Sequence, residues 1–297
     1  MRNSRKILFS VFILLVFTAI GCIVGVYLSR PPLLIVTDFS FEALYGAQRL
    51  KREGSRLSRM LFRRIVPVYV DENAQPGMIS IAVEDTFELP EAVFFPYRYM
   101  EGARVYRDDH PDVPVYVLAG ANQRLPEETD LAVIRTDIMV DLYRAGLCAA
   151  LIAGENEVLF INDGSIRDDQ LDAFREGLKV QGYIDEPIWG NVYTDYFDNE
   201  NLSCVVLLSP AEIYLSKNPS VPTLLFSWMD PDFTPRSVKI VFNDSPWSLA
   251  PEALKSLPLP GEEVFIGSVP TVLKDRIAEK GVFQKLKGFI KEEFENK

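Results

Sequence analysis

Residues 157–183, EVLFINDGSIRDDQLDAFREGLKVQGY, decide the fold. Val158, Leu159, Phe160 and Ile161 form an unbroken apolar run, which a parallel strand needs when both of its faces are buried. Asn162, Asp163, Gly164 and Ser165 interrupt the run with turn-forming polar residues. Leu171, Phe174 and Leu178 then recur at helical spacing, so one stripe packs on a sheet while Asp168, Asp169, Arg175 and Lys179 face water. Gly182 stands just past the stripe, where a left-handed residue closes a helix. A strand leading through a polar turn into an amphipathic helix is the building unit of layered α/β domains.

The same unit recurs on both sides of this stretch. Upstream, residues 33–36, 65–70, 92–95 and 113–118 read as strands separated by helical patterns, which predicts a parallel sheet with helices on both faces and right-handed crossovers. Residues 120–130 carry Gly, Asn, Gln, Pro and several acids and are the expected first passage to a second lobe. Alternation restarts with strands over 131–134, 158–161, 188–193, 204–208 and 223–226, and helices over 137–153, 166–181 and near 211–215. Residues 238–242 and 264–266 and a closing helix over 272–294 are expected to return to the first lobe. The expected architecture is α/β, two doubly wound parallel-sheet lobes with a cleft between them, preceded by one N-terminal transmembrane helix. The divisions are 1–30 for the membrane segment, 31–125 for the first lobe with return segments from 238–297, and 126–237 for the second lobe.

At the N-terminus, Arg2, Arg5 and Lys6 precede an apolar run over 7–28, long enough to span a bilayer with the first residues inside. Three readings stay open: an uncleaved single-pass anchor, a cleaved signal peptide, and a lipoprotein modified at Cys22, because Ala19-Ile20-Gly21-Cys22 is a relaxed lipobox. All three export the domain, so the expected location is the inner membrane with the globular part on the periplasmic or extracellular side. About 265 residues remain beyond this segment, enough for two lobes of ordinary size. Cys148 and Cys204 read either as separate buried thiols or as a bridge in an oxidising compartment.

A net charge of -11 argues against nucleic acid and anionic lipid as partners, since both need a basic footprint. His110 is the single histidine and sits among Asp108, Asp109, Pro111 and Asp112, a context that reads as a solvated loop. Histidine-rich metal sites are thereby excluded, and no GxSxG, Walker A or GxGxxG pattern occurs. No catalytic residue, metal site or cofactor is expected, and the chain is read as a binding protein, not an enzyme.

Ligands of open α/β sheets bind beyond the carboxyl ends of the strands. In the first lobe this position holds Asp38, Phe39 and Phe41 after the first strand, and Tyr97 and Arg98 after the third. The expected second lobe offers Arg135 and Asp137, Asn162 and Asp163, and Trp228 and Asp230. Aromatic faces for stacking beside carboxylates that accept protons from hydroxyls or amines suit a small polar solute such as a sugar or nucleoside. Asp38 and Asp163 equally read as helix caps, and Arg135 as the ion-pair partner of Asp137.

The strand, Gly-containing turn, Ala173-Phe174-Arg175-Glu176-Gly177-Leu178 and terminal Gly182 resemble the second lobe of the type 1 periplasmic binding proteins, which the lactose-repressor family shares. The apolar N-terminus stands where a repressor would carry its helix-turn-helix. The resemblance implies an exported solute receptor that closes on its ligand and meets a membrane permease or sensor. It also marks departures: Gln170 stands where an arginine is usual four residues before the phenylalanine, Ser209-Pro210 where an Asn-Asp pair is usual, and Trp228 in place of an aspartate. Val36-Thr37-Asp38-Phe39-Ser40-Phe41 looks faintly like the first loop of the basic membrane protein group of nucleoside-binding lipoproteins. The departures support an alternative, a binding-protein-like envelope scaffold without a ligand.

Overall fold

The computed structural model describes residues 2–45, 47–120, 129–162, 164, 166–191, 201–208, 221–226, 238–243, 246–272 and 280–295. The chain opens with α1 (Arg2–Ser29). The side chains of α1 are described from Leu15 onward, and among the described residues no helix is long and apolar enough to cross a membrane.

Two six-stranded sheets follow. The first contains β1 (Leu33–Thr37), β2 (Ile65–Tyr69), β3 (Ala92–Pro96), β4 (Val115–Ala119), β5 (Ala132–Thr136) and β11 (Glu263–Ile266) in the order β11-β5-β4-β3-β1-β2, with every pairing parallel. All five residues of β1, LLIVT, are buried, as expected for a central strand covered on both sides. Leu34, Val36, Val93 and Phe95 pack towards α4 (Pro76–Thr86) and α5 (Met100–Asp109). Leu33, Ile35, Phe94 and Leu118 pack on the other face with residues of α3 (Ala47–Leu61) and α8 (Pro246–Ser256). A short α2 (Phe39–Tyr45) joins β1 to α3.

The second sheet contains β6 (Glu157–Asn162), β7 (Ile188–Gly190), β8 (Leu202–Leu208), β9 (Thr223–Phe226), β10 (Val238–Asn243) and β12 (Val269–Val272) in the order β12-β10-β9-β8-β6-β7. Only the β10–β12 pairing is antiparallel. One face carries α6 (Ile138–Ala153), α7 (Asp168–Val180) and α9 (Lys280–Ile290), which bury Phe174, Leu178 and Leu286 on Val158, Phe160 and Val206. The strand and helix read from 157–183 are both present, and Gly182 has φ +85° just past α7.

The helix-to-helix contact within that lobe explains the glycine of the AFREGL sequence. A Cβ on Gly177 would overlap the Tyr143 carbonyl oxygen of α6, and one on Gly146 would overlap the Phe174 carbonyl of α7. The two backbones therefore approach more closely than any side chain allows.

Sheet membership differs from the sequence expectation at two strands. The strand expected to begin the second lobe is β5, which pairs with β4 and β11 in the first sheet. The strand over 238–242 was expected to return to the first lobe, yet β10 lies in the second sheet, and α9 packs on α6 there. Of the expected return strands only β11 joins the first sheet. Periodicity identifies a strand, whereas its partner is fixed by pairing with remote residues, so a polar loop such as 120–130 does not mark the change of lobe. The change occurs at Thr136 and Asp137, between β5 and α6.

His110 also departs from its expected solvated loop. It follows α5, its ring lies 4.6 Å from that of the fully buried Tyr106, and its Nε2 is 3.0 Å from Glu84 Oε1. The acidic neighbours signalled solvent, but Tyr106 one helical turn earlier supplies the packing surface.

Gly177→Ala, and separately Gly146→Ala, should each destabilise the chain by about 3 kcal/mol, because the added methyl meets backbone and not a side chain that can rotate away. Urea unfolding followed by circular dichroism reads this directly.

Candidate functional site

The first sheet reverses its winding at β1. The chain passes from β1 out to the edge strand β2, then returns to β3 on the other side of β1. Connections leave the two central strands in opposite directions at such a reversal, and the crevice beyond their carboxyl ends is where open α/β sheets bind ligands. The second sheet reverses in the same way between β6 and β8.

Asp38 follows β1, and the 3-10 turn Tyr97–Tyr99 follows β3. Asp38 is 1% exposed, so its carboxylate needs partners to offset lost hydration. Its Oδ1 accepts the Phe41 N–H at 2.7 Å, which caps α2. Its Oδ2 accepts the Tyr99 hydroxyl and lies 3.2 Å from Arg98 Nη1. Arg98 Nη2 in turn reaches Glu72 Oε1 at 3.3 Å and the Glu72 carbonyl at 3.4 Å. Burial, then the hydrogen bond to Asp38, raises the Tyr99 pKa above the ordinary phenol value, so its hydroxyl stays a donor.

An aromatic pair adjoins this cluster. Phe39 is 80% exposed and its ring centroid lies 6.0 Å from that of Tyr69, itself half exposed at the end of β2. Tyr69 donates its hydroxyl to Glu42, and that bond, followed by burial, pushes its pKa up to about 12. Accessible ring faces thus stand beside a guanidinium and three carboxylates, an arrangement that can stack on a flat ligand and bond its polar edge.

The other residues expected at the site have different duties or lie outside the description. Tyr97 is partly buried against the core of the first sheet. Arg135 Nε lies 2.9 Å from Glu263 Oε1 on the neighbouring strand β11, so its ion pair is with Glu263 and not with Asp137. Asp137 caps α6 by accepting the Met139 and Val140 N–H groups at 3.0 and 3.2 Å. Asn162 Oδ1 accepts the Gly164 N–H at 3.1 Å and closes the turn after β6. Asp163, Ser209, Pro210, Trp228 and Asp230 lie outside the described residues. Cys22 is exposed on α1, while Cys148 and Cys204 are buried free thiols whose pKa values burial pushes up, that of Cys148 to about 12. Among the described residues no group of three side chains could hold a metal ion.

Tyr69, Glu72 and Tyr99 belong to the cluster but escaped the sequence reading. The same positional rule points to the end of β2, where Tyr69 and Glu72 stand, and Tyr99 directly follows Arg98.

Gln170, in the position where the resemblance would place an arginine, is 6% exposed. Its Oε1 accepts the Arg167 N–H at 3.0 Å, so the side chain satisfies the start of its own helix.

No protein-family model matches the chain, and no curated protein matches it. Solved structures do match. A solute-binding protein of an ABC transporter system from Conexibacter woesei aligns over 89% of this chain and 95% of its own, with a TM-score of 0.56 and 13% identity. The chain has the type 1 periplasmic binding protein fold. A sugar-binding protein of a sugar ABC transporter from Bacillus halodurans covers 82% of this chain and 97% of its own, with a TM-score of 0.51 and 14% identity. A transcriptional activator of the comK gene from the same organism covers 88% and 96%, with a TM-score of 0.52 and 11% identity. The fold therefore serves both transport and regulation, and function rests on the site.

Two outcomes check this geometry. Glu42→Gln should lower the Tyr69 ionisation from about 12 towards the ordinary 10.0, measured by ultraviolet titration with Tyr69→Phe identifying the signal. Folded Tyr69 keeps its proton above the pH at which the unfolded chain loses it, so its contribution to stability is intact below pH 10.0 and is lost as pH rises towards about 12. Tyr99→Phe should cost about 1–2 kcal/mol in urea unfolding, because a buried carboxylate loses a donor.

Proposed function

We propose that this chain is an exported, membrane-tethered solute-binding protein that closes its two lobes on a small polar ligand and presents it to a permease or sensor. The observation that carries this reading is the polar cluster of Asp38, Arg98 and Glu72 at the β1/β3 reversal, with the exposed Phe39 face beside it. The sugar-binding Bacillus halodurans neighbour supports a polar solute of that kind. The apolar run over 7–28 within the 28-residue α1, preceded by Arg2, Arg5 and Lys6, supports the tether. Lipidation at Cys22 is a second route to the same attachment. Binding, not catalysis, suits the cluster, since Asp38, Glu42 and Glu72 are each engaged by a donor within it.

Lobe closure needs a flexible crossing, and two crossings lie side by side. Asp137 N–H donates to the Ile266 carbonyl at 2.8 Å, and Ser268 donates its hydroxyl to Asp141 at 2.6 Å, so β5→α6 and β11→β12 bend as a pair.

One observation favours a ligand-free scaffold instead, namely that Gln170 is consumed by its own helix. A thermal-shift screen separates the two. The full chain in detergent should gain melting temperature with one class among sugars, nucleosides, amino acids and polyamines, and the gain should vanish in the folded variants Phe39→Ala and Arg98→Ala. No shift across the panel would support the scaffold.

A further inference from the structure

The net charge of -11 conceals a basic helix. Residues 47–64 contain Arg49, Lys51, Arg52, Arg56, Arg59, Arg63 and Arg64 with the single acid Glu53. In α3, Leu50 and Leu57 are buried on the domain, at 2% and 6% exposure, while Lys51, Arg52, Ser55, Arg56, Arg59 and Met60 are exposed. Positions 52, 56 and 59 fall on one helical face. Arg63 is set apart from this face by its ion pair with Glu91.

This face has a fixed relation to α1. The Tyr27 hydroxyl is 2.6 Å from Ser58 Oγ of α3, and the Tyr27 ring lies 5.3 Å from that of Phe62. The Arg30 guanidinium stands over the Phe62 ring at 5.5 Å, and Arg64 Nη2 reaches the Arg30 carbonyl at 3.4 Å. The last turn of α1 is thus held against the end of α3. Where α1 leaves a bilayer, Tyr27 is at the depth favoured by interfacial aromatics, and the basic face of α3 ends beside it.

We propose that the exposed face of α3 rests on anionic phospholipid headgroups next to the exit of α1, and so fixes the orientation of the first lobe on the membrane. This rests on the tethered reading above. Charge complementarity selects the occupant: clustered Lys and Arg beside a membrane helix are attracted to an anionic surface, and Met60 adds an apolar side chain to the same face. The acidic remainder of the chain is repelled by that surface, which favours contact through α3 alone.

The test uses the full chain with Cys22→Ser and Ser55→Cys, labelled with a fluorophore at position 55; Cys148 and Cys204 are fully buried and do not compete for label. The chain is reconstituted in nanodiscs of phosphatidylcholine, with or without phosphatidylglycerol, that carry a headgroup-bound quencher. Quenching should be severalfold stronger in the anionic discs, should fall to the neutral level in high salt, and should be lost in Lys51→Glu/Arg52→Glu/Arg56→Glu, whose circular dichroism reports its folding. Equal quenching in both lipids, or quenching that survives the triple substitution, would overturn the proposal while leaving the tether standing. Release of the parent chain from carbonate-washed membranes would overturn the tether and the lipid contact with it.

Discussion

The start of α6 holds two passages of the chain together, and the two-sheet arrangement depends on it. Asp137 ends β5, caps α6 and donates its backbone N–H to the last residue of β11. One turn later Asp141, 2% exposed, takes the backbone N–H and hydroxyl of Ser268 between β11 and β12. Arg144 donates to the Ser268 carbonyl at 2.9 Å, and burial lowers its pKa, although the charge of Asp141 opposes that shift. A carboxylate so enclosed costs hydration unless its acceptors are filled, so the two crossings are stable together and not separately.

The carboxyl end of the first sheet obeys a similar economy of buried charge. Asp38 is inside because β1 is the central strand at the reversal, and it is tolerated there because three donors from two elements converge on it. The cap binds α2, the tyrosine binds the turn after β3, and the guanidinium carries the charge out to Glu72 and solvent. Asp38 is thus a keystone that ties α2 to the turn after β3. The groups that remain accessible are Phe39, Tyr69, Glu72 and the outer edge of Arg98.

Apolar runs and helical stripes made most strands and helices legible in the sequence. The unit over 157–183, with its strand, its helix and Gly182, is one case. Which sheet each strand joined was not legible for β5 and β10, because neighbours in a sheet are chosen by shape and burial over long separations. Position after a strand singled out Asp38, Phe39 and Arg98, and in the structure Arg98 pairs with Asp38 while Phe39 lies beside Tyr69. The same rule misjudged Arg135 and Asp137, since a residue at a strand end may be claimed by an adjacent strand or by the helix it begins. Tyr99 was hidden because a residue type common in cores carries no sign that its hydroxyl meets a buried acid.

The balance of charge at this end of the first sheet bears on what the proposed receptor can hold. Asp38 and Glu72 take the two terminal nitrogens of the Arg98 guanidinium, and Glu42 takes the Tyr69 hydroxyl. An anionic ligand would have to approach an excess of negative charge with no uncommitted cation among the described residues of the cluster. A neutral polyhydroxyl or a cationic amine meets acceptors it can fill, and the open Phe39 ring offers its face to the apolar side of the former or to the charge of the latter. Gln170 points the same way in the second lobe: its amide caps α7, so the position that an arginine would use to draw in an acidic edge adds no charge here. Selectivity in the proposed receptor therefore favours an uncharged or positively charged solute with one flat face.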